Sequence, residues 1–151
     1  MTDQEFIRAL ETCALPESSF GHAGHVRAAY LYLLSGDFAA ALQRIGRSIR
    51  AYAASLGKPE RYHETITVAY LALIHEHMVE RGDGGGWQGF ECQNPELFDR
   101  DLLLRFYRRS ELDSPLAREK ALFCRPASLT IKFGDRMRGH EQNALAGYGF
   151  Q

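Results

Sequence analysis

The sequence predicts an all-α protein, a small antiparallel helical bundle with additional C-terminal helices and a weakly structured tail. Apolar residues recur at intervals of three and four along several segments, which is the spacing of one buried helix face. Glycine and proline separate these segments. No segment alternates apolar and polar residues over a length that could build a sheet.

The first two helices are marked by start and stop residues. Thr2 and Glu5 form a capping-box pattern that opens the first helix, and Pro16 ends it. The second helix is expected over about residues 22–34, where Ser35 and Gly36 close it.

The third and fourth helices are the longest that the pattern predicts. Asp37 is expected to cap the third, and Gly57 ends it as a C-terminal glycine. Its apolar positions alternate by four and three: Phe38, Leu42, Ile45, Ile49, Tyr52 and Leu56. The fourth is expected over about residues 62–81, before the glycine-rich loop 82–86.

Two further helices are predicted in the C-terminal third. Asn94 as a cap, followed by proline and an acid, predicts a fifth helix to about residue 108. Ser114 before Pro115 predicts a short sixth helix through residue 121. We therefore expect one helical domain over residues 1–126 and an extended or disordered tail over residues 127–151.

Composition and charge narrow the class of protein. The 151 residues are 45% hydrophobic, and the formal net charge is −1, which argues against a nucleic-acid partner. Cys13, Cys92 and Cys124 cannot all pair, so a reduced, cytoplasmic chain is expected. The most apolar stretches, residues 26–34 and 66–74, are too short to cross a membrane. No targeting segment is visible at the N-terminus.

Three histidines carry the functional hypothesis. His22 and His25 lie three residues apart, so they share the inward face of the second helix. His63 opens the fourth helix on a face that continues with Thr67 and Tyr70. Short connections make neighbouring helices antiparallel, so the second and fourth run parallel and bring all three imidazoles to one end of the bundle. A lone inward histidine is more often a core residue bonded to a carbonyl; the co-location favours a metal site.

A site of His22, His25 and His63 would suit zinc, copper or iron. Three protein ligands with an open position are typical of catalytic metal sites. Glu64 could orient a ligand histidine or act as a general base, although the helix dipole alone favours an acid in a first turn.

Two groups of arginines have two interpretations. They could hold an anionic substrate or form solvated helix faces. Their members are Arg44, Arg47 and Arg50 in one group and Arg105, Arg108 and Arg109 in the other.

The segment from Phe20 to Val26 carries the pattern F-x-H-x-x-H-[LV], and the segment from Tyr62 to Thr67 carries Y-H-x-T-[IL]-T. This pair of motifs resembles a family of small bacterial proteins of unassigned function. The resemblance implies that the three histidines form the functional group, with Thr65 or Thr67 nearby. Thr67, from this resemblance, and Glu64, from its position directly after His63, are the expected catalytic residues.

The resulting hypothesis is a small metal-dependent enzyme that activates water, oxygen or a small-molecule substrate. One transition-metal ion is its expected cofactor, and a homodimer is possible through an apolar helix face. The first alternative is a non-catalytic metal- or ligand-binding accessory or sensor module. The second is metal-free acid–base chemistry by His63 with Glu64.

Overall fold

The computed structural model describes residues 1–123, and every regular element in them is helical. The α-helices of this part are α1 (Asp3–Glu11), α2 (His22–Leu34), α3 (Phe38–Ser55), α4 (Glu64–Arg81), α5 (Trp87–Gln93), α6 (Arg109–Leu112) and α7 (Pro115–Glu119). Short 3-10 turns occur at Glu17–Ser19, Pro59–Arg61, Pro95–Phe98 and Leu102–Arg105. The predicted all-α class is confirmed. The predicted domain end at residue 126 and the tail over 127–151 lie outside the described residues.

Within residues 1–123, no helix combines the length and the apolar character needed to span a membrane.

Helix starts follow the side-chain caps that the sequence predicts. The Thr2 hydroxyl accepts the N–H of Glu5 at 3.2 Å, and the Glu5 carboxylate accepts the N–H of Thr2 at 2.7 Å. Asp37 caps α3 through the N–H of Ala40 at 2.8 Å. These caps satisfy backbone donors that have no partner inside the helix.

Helix α2 lies at the centre of the packing, in contact with α1, α3, α4 and α5. Its buried side chains include Val26, Ala29, Tyr30 and Tyr32. Full burial of one large apolar side chain stabilises a fold by about 1.5–3 kcal/mol. The buried phenols are also satisfied, since Tyr30 donates to the Asp83 carbonyl and Tyr32 bonds Ser48 at 2.8 Å. Burial raises the pKa of Tyr32 to about 12.

The continuous fifth helix predicted over residues 94–108 is wrong. Asn94 is fully buried, and its side chain donates to the Phe90 carbonyl at 2.8 Å instead of capping a following helix. Its oxygen accepts from His77 at 2.8 Å and from Arg81 at 3.0 Å. The following turn ends at Phe98, and the carboxylate of the next residue, Asp99, accepts the N–H of Asp101 at 3.0 Å and bends the chain.

Residues 95–122, the C-terminal segment, lie across α2 and α4 instead of extending the bundle. Buried Leu103, Tyr107 and Leu112 pack against side chains of α4 such as Ile66 and Tyr70. The short helix α7 begins as predicted, since the Ser114 hydroxyl accepts the N–H of Ala117 at 3.2 Å. It ends at Glu119, two residues before the predicted end. The segment therefore covers the end of the bundle where His22 and His63 lie.

Candidate functional site

Four side chains of α2 and α4 hold the C-terminal segment through its main-chain carbonyls. We call His22, His63, Thr65 and Tyr70 the carbonyl anchors. They donate to Leu97 at 3.0 Å, Leu112 at 2.8 Å, Lys120 at 2.8 Å and Asp99 at 3.1 Å, respectively. Each such hydrogen bond contributes a net stabilisation of about 0.5–1.5 kcal/mol. Together the four bonds hold the C-terminal segment on α2 and α4.

His63 has both ring nitrogens engaged. It is the N-cap of α4, and its Nδ1 accepts the N–H of Ile66 at 3.3 Å. Because a carbonyl oxygen only accepts, Nε2 carries the proton that is donated to Leu112. The residue is only 8% exposed. In this arrangement both ring nitrogens of His63 are engaged in hydrogen bonds within the fold, so its lone pair is already used.

His22 and His25 each keep one ring nitrogen unpaired among the described residues. His22 donates from Nε2 to the Leu97 carbonyl, so its Nδ1 carries the lone pair when the ring is neutral. His25 donates from Nδ1 to the Gly21 carbonyl at 2.9 Å, so its lone pair is on Nε2. The two rings are opposite tautomers, and both line one pocket.

The position of His25 depends on close packing at the start of α2. Its ring stacks on Phe20 with centroids 4.1 Å apart. A Cβ atom on Gly24 would lie 2.9 Å from the Ser19 carbonyl oxygen and 3.2 Å from the Phe20 ring, so glycine allows this approach. Burial lowers the pKa of His25 below its ordinary value of 6.5; the carbonyl of Gly21 opposes this shift, and His22 adds to it.

The pocket has a volume of about 300 Å³ and lies between α2, α3 and α4. Its walls are mostly apolar, and its polar groups come from His22, His25, Thr67 and Tyr70. Burial, with the charges of Asp99 and Asp101 as smaller causes, raises the pKa of Tyr70 to about 12. A mostly apolar cavity with a few convergent polar groups is the usual form of a small-molecule site.

Helix α3 supplies part of the wall, which sequence reasoning missed. Ile45 and Ile49 line the pocket, and their spacing had placed them on the buried stripe of α3. That periodicity marks an inward face, but it does not distinguish side chains around a cavity from side chains packed against each other.

Glu64 lies in a different place from Thr67. Its carboxylate accepts from the Tyr62 hydroxyl at 2.7 Å and pairs with Arg50. These three side chains line an open groove on the surface, with Arg61 and Arg118. Thr67 lines the His22–His25 pocket and donates to the His63 carbonyl at 2.9 Å. Of the two expected catalytic residues, only Thr67 is therefore at the pocket.

The three predicted ligands are not gathered around one point. Residues 1–123 contain no group of three histidine, cysteine, aspartate or glutamate side chains arranged to hold a metal ion. His22 shares one cavity with His25 and another with His63. The fit to a three-histidine metal site is incomplete, because His63 would have to release Ile66 or Leu112 first.

Comparison of the chain with protein-family models, with curated proteins and with solved structures finds no match. The resemblance of its two motifs to a family of small bacterial proteins stays a prediction. The site is therefore argued from its own geometry.

Proposed function

We propose that the protein binds a small organic molecule in the His22–His25 pocket and holds a donor group of that molecule at Nε2 of His25. This is the ligand-binding alternative of the sequence analysis. The observation that supports it is a mostly apolar cavity of about 300 Å³ that His25 lines, together with an Nε2 of His25 that has no hydrogen-bond partner among the described residues.

The size of the cavity suggests the size of the ligand. A cavity of about 150 Å³ lined by apolar side chains holds a benzene molecule. The pocket here is roughly twice as large, so a molecule of about two fused rings suits it.

Its chemistry suggests the polar group of the ligand. The lowered pKa keeps His25 neutral at pH 7, so Nε2 is an acceptor. A ligand hydroxyl or N–H is its natural partner. A hydrogen-bond acceptor in a desolvated pocket discriminates strongly for a ligand that carries a matching donor.

The test uses 2-naphthol and its methyl ether, which differ in one donor. Binding is followed by NMR spectra of the imidazole nitrogens, in which His75, on an exposed part of α4, is an internal control. We expect 2-naphthol to shift the His22 and His25 signals saturably and to bind about fivefold more tightly than the ether, the ratio expected for one net hydrogen bond.

Two matched variants locate the interaction. His25→Phe keeps an aromatic ring beside Phe20 and should abolish the preference for 2-naphthol over the ether. His75→Phe should leave that preference unchanged. The proposal would be overturned if no saturable shifts occur. It would also be overturned if His25→Phe and His75→Phe lose the preference for 2-naphthol to the same extent.

A metal-dependent enzyme is the second candidate function. One observation favours it: His22 and His25 line one pocket, and each has a ring nitrogen, Nδ1 of His22 and Nε2 of His25, with no hydrogen-bond partner among the described residues. When bound, a transition metal would supply Lewis-acid or redox chemistry there. These two imidazoles would hold it, and His63 would complete the set only by giving up a present hydrogen bond.

Equilibrium dialysis against Zn²⁺, Cu²⁺ or Fe²⁺ alone, followed by elemental analysis, tests this candidate. If the predicted three-histidine set is right, the unchanged protein retains about one equivalent of metal. His25→Ala and His63→Asn should each lose that metal. Asparagine is chosen at position 63 because it can still cap α4. Retention in His63→Asn would limit the ligands to His22 and His25. No retained metal in the unchanged protein would exclude both sets.

A cytoplasmic location is also proposed. Cys13 and Cys92 are both free thiols, and a reducing compartment keeps thiols in that state. Fractionation of the source cells with an antibody to the protein tests the location.

A further inference from the structure

A second cavity adjoins the His22–His25 pocket and differs from it in charge. It has a volume of about 320 Å³ and lies between the start of α4 and the C-terminal segment. Three arginines line it: Arg100, Arg109 and Arg118. We call it the arginine cleft.

Two of these arginines are free to bind an anion. Arg100 has no hydrogen bond or ion pair within residues 1–123, and Arg118 donates only to the Glu60 carbonyl, at 3.2 Å. Arg109 is paired with Asp101 at 3.2 Å. The carboxylate of Asp113 also lines the cleft, so the three cations exceed the anions by one. Guanidinium groups bind carboxylate and phosphate through paired N–H donors.

The two cavities share a wall. His22, Ile66 and Tyr70 line both of them, and the rings of His22 and Tyr70 meet edge to face with centroids 5.0 Å apart. An apolar space and a cationic space therefore lie on either side of one layer of side chains. A single molecule with an apolar body and a short acidic arm would occupy both once the edge-to-face contact of His22 and Tyr70 opens to admit the arm.

We propose that the ligand of this protein is an organic acid, with its apolar body in the His22–His25 pocket and its carboxylate or phosphate in the arginine cleft. This rests on the proposed function, because the pocket must first accept the apolar body. The surface groove around Glu64 is a poorer anion site, since Arg50 and Arg61 there are already paired with carboxylates, and Arg118 is the one arginine that it shares with the cleft.

The test compares three probes with the same two-ring body and the same free hydroxyl: 2-naphthol, (6-hydroxy-2-naphthoxy)acetate and 6-hydroxy-2-naphthyl phosphate. We expect at least one anion to bind about tenfold more tightly than 2-naphthol at low ionic strength, because charge-assisted bonds are added. The tighter anion identifies the acidic group. Raising the salt concentration should weaken binding of the anions and leave 2-naphthol unchanged.

Charge variants then place the acidic group. Arg100→Ala and Arg118→Ala should each weaken binding of the tighter anion about three- to tenfold and keep the 2-naphthol affinity within about twofold. Asp113→Asn should tighten binding of that anion, because a charge that repels it is removed. Arg47→Ala is the control: this exposed arginine of α3 lines none of the cavities described above.

The outcomes separate the two proposals. If 2-naphthol fails to bind, the proposed function fails and this inference fails with it. If 2-naphthol binds but neither anion binds more tightly, or if Arg47→Ala acts like the cleft variants, only the organic acid is overturned.

Discussion

His63 donates a hydrogen bond from Nε2 to the carbonyl oxygen of Leu112 at 2.8 Å, across 49 positions of the chain. Its other nitrogen accepts the N–H of Ile66 and caps α4. One side chain therefore begins a helix and attaches the segment that covers it. The sequence analysis gave His63 a role as a metal ligand, which stays a prediction; the contacts that it makes here are within the fold.

This double contact predicts that His63→Ala loses about 2 kcal/mol of unfolding free energy, since a helix cap and a buried hydrogen bond are both removed. His63→Asn should recover about 1 kcal/mol, because asparagine caps helices well but cannot reach Leu112 in the same way. Urea denaturation measures both, with the exposed Gln93→Ala as a control expected to change little. Equal stability of His63→Ala and the unchanged protein would contradict this assignment.

Gly24→Ala is expected to destabilise the protein by about 1–3 kcal/mol, although alanine favours helices over glycine. The added Cβ would meet the Ser19 carbonyl oxygen at 2.9 Å, which is backbone and cannot move aside easily. Gly21→Ser is the matched control. Nothing lies within 4 Å of a Cβ at Gly21, the N-cap of α2, so serine should be neutral or stabilising there. Thermal denaturation of both variants measures these changes, and a Gly24→Ala variant as stable as the unchanged protein would contradict the close packing.

Asn94→Ala is expected to cost about 3 kcal/mol, because the Phe90 carbonyl, His77 and Arg81 would each lose a partner in or near the core. The neighbouring exposed residue provides the control, and Gln93→Ala should change the unfolding free energy by less than about 0.5 kcal/mol. A small effect of Asn94→Ala would show that this network contributes little to the fold.

The lowered pKa of His25 predicts a loss of stability in acid. The unfolded chain takes up a proton near the ordinary value of 6.5, whereas the folded site resists protonation until a lower pH. The contribution of His25 is therefore complete above pH 6.5 and falls as the pH drops towards the folded pKa. NMR titration of the His25 ring should show a midpoint below 6.5. A midpoint at or above 6.5 would contradict the buried, neutral state.

Glu64→Gln is expected to leave binding of 2-naphthol within about twofold, because Glu64 lies in the surface groove and not at the pocket. It should weaken the Arg50 and Tyr62 contacts and lower stability slightly. Fluorescence titration and urea denaturation separate the two effects. A large loss of binding would restore the role that the sequence analysis gave to Glu64.

Local signals in the sequence predicted the helix starts well. Thr2, Asp37 and Ser114 cap the helices that they were expected to cap, because each bonds a backbone N–H within three residues. Periodicity also placed α2, α3 and α4 within two residues of their predicted ends. These features depend on short stretches of chain.

Contacts over long distances in the chain could not be predicted in the same way. Asn94 has the residue type and following proline of a cap, yet tertiary partners on α4 and α5 hold its side chain. The inward direction of His22 was correctly expected, but its carbonyl partner at Leu97 is 75 positions away. Nothing in the local pattern shows whether an inward imidazole meets a metal, a carbonyl or a cavity.

The carbonyl anchors bind main-chain atoms, which every amino acid supplies. Side chains of the C-terminal segment, including Arg100 and Arg109, could therefore be replaced in evolution without loss of the hydrogen bonds that hold this segment. The contacts that hold the C-terminal segment are thus independent of the side chains that would select a ligand. A protein with the same carbonyl anchors could keep this fold and carry different side chains in the cleft.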